Sequence, residues 1–386
     1  MRVFFCLVII CLAGCNSTPN TVKPPAQLLT DHSFVPVTIE SKNDVFALSE
    51  NSIAKMEAEI SRSLDKRLTT RSLIKYIFAP ENQSLNYLTG ATLTAEETFN
   101  SKDANCLSLS IMAHSMAKHF GLESRFQQVF IPEYWASENG YSLLTGHVNL
   151  RLKRPSASNV ALTSTVYDTV GDLIVDFNPS SFRQKFRTQI ISEDIILAMF
   201  YNNKGAAAMI NREYDLAYSY FSAAIESAPQ YSSSFGNLGV LFRINNQLKQ
   251  AELAYNHALL LDNNNNTAKG NLARLYDLTG RESKAAAIRT ALEHKRSQNP
   301  YYAIAKANEA LYQKDFDRAI KLFKKSIRLD RTLHESHFGL AKAYFSIGDI
   351  SGALSELEEA EKHAYFDSEK QRYRGKIMSL SAQLVQ

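Results

Sequence analysis

Ala217, Ala251, Ala285, Ala319 and Ala353 follow one another at intervals of 34 residues. Other positions keep the same interval: Gly205, Gly239, Ala273, Ala307 and Ala341 lie twelve residues earlier, and Phe221, Tyr255, Arg289, Phe323 and Leu357 lie four later. A period of this length marks a stacked array, because each unit is a supersecondary element that cannot bury its apolar face alone. The small residues let paired helices approach closely, and the large ones fill the gaps between pairs. The spacing predicts an all-α solenoid over residues 198–367 with a closing helix over 368–386. Arg289 and the Asn299-Pro300 break make the second helix of the third unit the least regular.

These positions resemble the tetratricopeptide repeat, with five repeats in tandem. The resemblance implies a concave face, lined by the first helix of each pair, that takes a protein or peptide. In register, Arg243, Arg274, Asn308 and Lys342 fall near that face. They make a mildly basic groove suited to acidic segments or C-terminal carboxylates, or else they are ordinary solvated helix charges. His334 and His337 are three apart on one helix, but no third ligand is evident, so no metal site is assigned. Nothing in the chain asks for a cofactor. Asn263 to Asn266 reads as an inter-repeat turn.

At 386 residues, with 45% hydrophobic and 21% charged residues, the chain is globular and holds at least two domains. A net charge of +4 without a basic block gives no reason to expect nucleic acid as a partner. Of the four cysteines, Cys6, Cys11 and Cys15 fall at the start. Arg2 is a short basic region, and Val3 to Leu12 form an apolar run too short to span a bilayer, which is the pattern of an export signal. Leu12-Ala13-Gly14-Cys15 resembles the lipobox of bacterial lipoproteins; an ordinary signal peptide is the alternative. The resemblance implies a signal peptide over 1–14, a lipid on Cys15 that holds the chain to a membrane, and a place in the cell envelope. By likeness to enterobacterial lipoproteins, Asn16 points to the periplasmic face of the outer membrane. Cys106 is then the only free thiol.

Residues 15–36 are polar and contain Pro19, Pro24 and Pro25, so they read as a flexible tether with a span of roughly 25 Å. A second domain follows over 37–197. Ile53, Met56, Ile60 and Leu64 fall on one helical face, Leu73, Ile74 and Ile77 on another, and Thr94-Ala95-Glu96-Glu97 has the form of a capping box. Leu109, Met112 or Ala113, Met116 and Phe120 give one apolar face to a helix that Cys106 opens and Gly121 closes. Ser101 or Asp103 can cap it, and its N-terminus favours thiolate. The bland alternative is an inert core cysteine. Alternation then predicts strands over 125–131, over 146–152 and about a Gly171-Asp172 turn within 167–177. Pro132 to Thr145 reads as a cleft-side loop, with Trp135 as its anchor or as a substrate lid.

A cysteine nucleophile needs a base within reach, and the base needs an acceptor to fix its tautomer. Cys106, His147 and Asp176 supply all three in order. His114 and His119 lie too far along the Cys106 helix to reach back, while Asp168 and Asp172 are rivals to Asp176. Asn105-Cys106, Gly121-Leu122, His147 and Asp176-Phe177-Asn178-Pro179 together resemble the transglutaminase-like superfamily, a papain-like α+β fold with a helix packed on an antiparallel sheet. That implies Cys106 as nucleophile, His147 as general base and acid, and Asp176 as orienter. Asn100 stands at the offset of the papain-like oxyanion glutamine. The sequence departs from the pattern in lacking glycine near the cysteine, in Val148-Asn149 after the histidine, and in two residues between Asp176 and Pro179. The expectation is a cysteine-dependent amide hydrolase or acyl transferase with repeats for protein binding; the alternative is a non-catalytic adaptor that works through the repeats.

Overall fold

The computed structural model describes residues 23–62, 70–77, 86–87, 90–101, 103–130, 135–138, 141–144, 147–153, 166–169, 172–177, 186–364 and 367–384. Among the described residues, five α-helices, one short 3-10 helix (Ala26–Leu28) and nine short strands precede the repeats. The helices are α1 (Lys42–Phe46), α2 (Glu50–Arg62), α3 (Thr70–Ile77), α4 (Ala95–Asn100) and α5 (Cys106–His119). The strands are β1 (Asn86–Tyr87), β2 (Asp103–Ala104), β3 (Ser124–Val129), β4 (Trp135–Glu138), β5 (Tyr141–Leu144), β6 (His147–Lys153), β7 (Val166–Thr169), β8 (Asp172–Val175) and β9 (Thr188–Ile191).

The α5 helix is the centre of this half. Cys106 to Ala117 are all buried, so the expectation of a single apolar face needs correcting. Full enclosure is possible because its serines find partners: Ser115 Oγ donates to the Ile111 carbonyl at 3.0 Å and Ser110 Oγ to the Val148 carbonyl at 3.5 Å. Gly121 ends the helix at a φ of +67°, which a side chain would disfavour. Thr94 forms the expected capping box at α4.

Against α5 lies a five-stranded sheet in the order β7-β8-β6-β3-β9, antiparallel throughout. Phe126, Val148, Leu150, Leu152, Leu173 and Val175 join Leu109, Met112 and Met116 in one core. The β9 strand was not anticipated; Thr188, Gln189 and Ile190 are exposed and carry no buried alternation. The expected loop between the first two strands contains a hairpin instead, with Trp135 paired to Leu144 and Glu138 to Tyr141.

Ten helices then form five antiparallel pairs. They are α6 (Glu193–Ile210) and α7 (Tyr214–Ser227), α8 (Ser232–Ile244) and α9 (Leu248–Leu261), α10 (Asn266–Leu278) and α11 (Glu282–Arg296), α12 (Pro300–Tyr312) and α13 (Phe316–Leu329), and α14 (His334–Ser346) and α15 (Ile350–His363). The α16 helix (Asp367–Leu384) closes the array. The periodic small residues have the expected use. A Cβ on Gly205 would lie 2.7 Å from the Phe221 ring, and one on Gly239 would lie 2.6 Å from the Tyr255 ring. The first helix of the array starts at Glu193, capped by Ser192, five residues before the expected boundary.

Two features of the array were not legible beforehand. Ile196, Phe200, Tyr220 and Ala224 belong to the same core as the sheet and α5, so the first repeat and the N-terminal half are packed as one body. Farther along, one apolar cluster runs to Leu272 and Leu275, and a separate one begins at Ala307, so the core is interrupted between α11 and α12. The β4 strand lies beside α12 at that point.

The tether expectation also needs correcting for its second half. Leu28 and Phe34 are buried in the core of the first two repeats, and the Phe34 ring stacks on Tyr218 at a centroid distance of 4.5 Å. The Asp31, Val35 and Val37 amides donate to Tyr218 Oη, Asp215 Oδ1 and Ser219 Oγ. Two apolar anchors and a row of satisfied amides hold this strip on α7 despite its polar composition. Residues 15–22 lie outside the described residues.

Candidate functional site: a buried cysteine, histidine and aspartate

Cys106 is the first residue of α5, His147 the first of β6, and Asp176 follows the last residue of β8. Leu150 pairs with Val175. Carried one residue past the end of β8, that register sets Asn149 opposite Asp176 and puts His147 diagonally across on the same face. His147 Nε2 donates to Asp176, at 2.9 Å from Oδ1 and 3.1 Å from Oδ2. His147 also shares a hydrogen bond with the Cys106 thiol. With Nε2 committed to the carboxylate, Nδ1 is the nitrogen left for sulfur. The three side chains are 5%, 3% and 0% exposed. Burial works against a charge on His147, but the hydrogen bonds to Asp176 and Cys106 and the negative charge on both outweigh it. They push the imidazole up to about 10. The His147 ring is therefore held in its protonated form between Asp176 and Cys106.

The cap of α5 is Asn105, not Ser101 or Asp103. Its Oδ1 accepts from the Ser108 amide at 2.9 Å, while Ser101 ends α4. Asn105 Nδ2 donates to Thr92 Oγ1 at 3.0 Å, and the Ser108 hydroxyl accepts from the Leu93 amide at 2.8 Å. Asn203 of α6 also donates to Thr92 Oγ1, at 3.4 Å. The helix end that carries the thiol is thus tied through one threonine to the first repeat. Sequence reasoning passed over Asn105; an asparagine followed three residues later by serine at a helix start was the available signal. Asn149 was also missed as a candidate: it shares the sheet face with His147, is 1% exposed, and its Oδ1 meets no donor among the described residues.

Asn100 does not serve the oxyanion role expected of it. It is exposed at the end of α4, and its Nδ2 donates to the Glu96 carbonyl and to Glu96 Oε1. Asp172 pairs with Arg151 at 2.7 Å and Arg125 at 3.2 Å, so it braces the sheet. His114 bonds Ser124 and Glu193, and His119 bonds Glu57; neither meets Cys106. The Trp135 and Asp168 side chains and residue Cys15 lie outside what is described.

Among the groove candidates, Arg274, Asn308 and Lys342 are exposed. Arg243 is only half-buried, its charge lying beside Tyr255. His334 Nδ1 bonds Tyr373 Oη, and both nitrogens of His337 are taken by Glu356 and the Arg331 carbonyl. These histidines hold helices together. Among the described residues, no cluster of metal-ligating side chains is found.

Residues 310–377 match the sequence model of the tetratricopeptide repeat family. No curated protein sequence matches the chain. Among solved structures, PilF of Pseudomonas aeruginosa is 16% identical, covering 50% of this chain and 92% of that one at a TM-score of 0.27. A repeat protein of Thermus thermophilus is 17% identical, with coverages of 47% and 99% and a TM-score of 0.28. YrrB, described as a repeat protein with an unusual peptide-binding site, is 15% identical, with coverages of 46% and 92% and a TM-score of 0.25. The C-terminal part of the chain is a helical solenoid with tetratricopeptide repeats.

Proposed function

We propose that the protein is a binding scaffold for polypeptides whose N-terminal half carries a thiol site of the transglutaminase-like kind, able to cleave or transfer an amide of what the repeats hold. The carrying observation is that one imidazole engages both Cys106 and Asp176. The Cys106 thiolate attacks the amide carbon and forms a thioester; the His147 imidazolium gives its proton to the leaving nitrogen. Water or an amine then attacks the thioester carbon, His147 takes the proton of the incoming nucleophile, and the thiolate departs. Asp176 keeps the ring oriented and balances its charge throughout. The thioester is common to both outcomes; water, being abundant, makes hydrolysis the default.

The depth of the site favours a second reading, in which the domain is a non-catalytic part of an assembly adaptor and the repeats act alone. A thiol only 5% exposed must be reached by the substrate carbonyl. Iodoacetamide labelling from about pH 5 to 9 separates the two, with His147→Ala alongside. Cys106 labelling that persists well below the ordinary thiol pKa of about 8.5 and is lost in the variant supports the enzyme. Slow labelling that ignores His147 leaves the adaptor.

The Leu12-Ala13-Gly14-Cys15 motif supports export and lipid attachment at the cell envelope. Among the described residues no helix is long and apolar enough to cross a membrane. Metabolic labelling with a fatty-acid analogue, lost in Cys15→Ser, tests that assignment.

A further inference from the structure

The 34-residue period does not stop at the fifth repeat. Arg372 and Lys376 of α16 stand 34 residues beyond Phe338 and Lys342 of α14, so α16 occupies the place of a sixth first helix. The two helices meet through their repeat-related residues. The rings of Phe338 and Tyr373 are 5.1 Å apart, and Tyr373 Oη bonds His334.

Around the half-buried Phe338 ring stand three cations: Lys342 Nζ at 5.1 Å, Arg372 Cζ at 5.4 Å and Lys376 Nζ at 5.8 Å from its centroid. All three are exposed. The nearest acids on these helices turn elsewhere: Glu335 and Glu369 face His334 Nε2 at 3.6 and 3.4 Å. Arg372 donates only to the neutral Tyr373 hydroxyl, and among the described residues no carboxylate pairs with any of the three. Desolvation in this crowd and repulsion from Arg372 and Lys376 hold the Lys342 ammonium below its usual lysine range. Like charges gathered without an anion cost stability, and an incoming anion relieves that cost. Arg274 stands on the first helix two repeats before Lys342 and is exposed like it, with the neutral, exposed Asn308 at the same position between them.

We propose that Phe338, Lys342, Arg372 and Lys376 form the anchor point of the groove and take an acidic polypeptide segment, two carboxylates meeting the cations and an apolar side chain meeting the ring. This rests on the reading of the repeats as a polypeptide-binding scaffold and names the end that holds the ligand and the charge it carries. A ring beside cations recognises a mixed acidic and apolar sequence better than it recognises a bare anion.

The test uses the full chain and a fluorescent ten-residue peptide rich in Asp and Glu with one Phe, its Asn/Gln counterpart, and vesicles of phosphatidylglycerol. The acidic peptide is expected to bind and the neutral one not, with affinity falling about tenfold in Lys342→Glu or Arg372→Gln and falling again as salt rises from 50 to 200 mM. Circular dichroism of each variant confirms that the helices remain. Equal binding by wild type and both variants overturns the anchor. So does binding lost only in Arg274→Glu, although the scaffold reading then stands. Capture by vesicles without peptide binding overturns the peptide assignment. Cys106 labelling is read in the same samples; it depends on neither Lys342 nor Arg372 and so reports on the thiol site separately.

Discussion

His147 Nε2 lies 2.9 Å from Asp176 Oδ1, and the pair is sealed from water, at 3% and 0% exposure. An imidazolium in such surroundings survives only with its carboxylate beside it. Removing Asp176 leaves a buried cation unpaired, with a stability cost of about 3–5 kcal/mol. Asp176→Asn is expected to slow Cys106 labelling at neutral pH at least tenfold and to lower the melting temperature. Asp172→Asn, which loses bonds to Arg151 and Arg125 instead, should leave the labelling rate unchanged. Comparable rates in the two variants would remove Asp176 from the site.

The same pair sets a pH dependence. His147 is raised from 6.5 to about 10 on folding, so its contribution to stability is complete below about 6.5 and is lost as pH rises through about 10. Urea unfolding of wild type and His147→Gln at pH 6, 8 and 10 should show the advantage of the histidine shrinking toward the top of the range. An advantage that grows with pH would contradict the charge assignment.

Gly239 has its own prediction. A methyl group there meets the Tyr255 ring at 2.6 Å, and that ring is fully buried. Gly239→Ala should cost about 1–3 kcal/mol through overpacking, despite the better helix propensity of alanine. Gly375, with open space about its Cβ position on α16, is the control: Gly375→Ala should stabilise slightly.

The interrupted core between α11 and α12 predicts divided unfolding. Nearest-neighbour coupling carries cooperativity through a repeat array, and a weak interface lets the two sides melt apart. Hydrogen exchange in mild denaturant should release α12 to α16 before α6 to α9. A single exchange step shared by all the repeats would show the junction to be as strong as the others.

Phe34 is expected to matter beyond its polar neighbourhood. Its ring stacks on Tyr218 and contacts Phe242 at 6.1 Å, so Phe34→Ala should destabilise by about 3–5 kcal/mol. A change within experimental error in thermal melting would mean that the strip over residues 26–37 lies on the repeats without supporting them.

Much of this architecture was legible in the chain. Strong periodicities survive tertiary context: the interval from Ala217 to Ala353 marked the five helix pairs, and the run from Cys106 to Gly121 marked the central helix. Chain order also brought Cys106, His147 and Asp176 forward, because chemistry restricts which residue types can act together. What escaped was the placement of polar side chains. Asn100, Ser101, Asp103 and Asn105 sit within six residues, and composition does not say which one faces the helix start. The structure gives the cap to Asn105 because its Oδ1 meets the Ser108 amide, and turns Asn100 back on Glu96. Arg243 likewise matched the groove register but is half-buried rather than exposed.

The sequence by itself determined the local elements and their count in the repeats, since each depends on spacing along the chain. Only tertiary structure decided that a polar, proline-containing strip would lie on α7, that the first repeat and the sheet would share a core, and that Phe338 would gather cations from two helices. Those outcomes depend on which surfaces meet, and burial energy belongs to pairs of surfaces rather than to either segment alone.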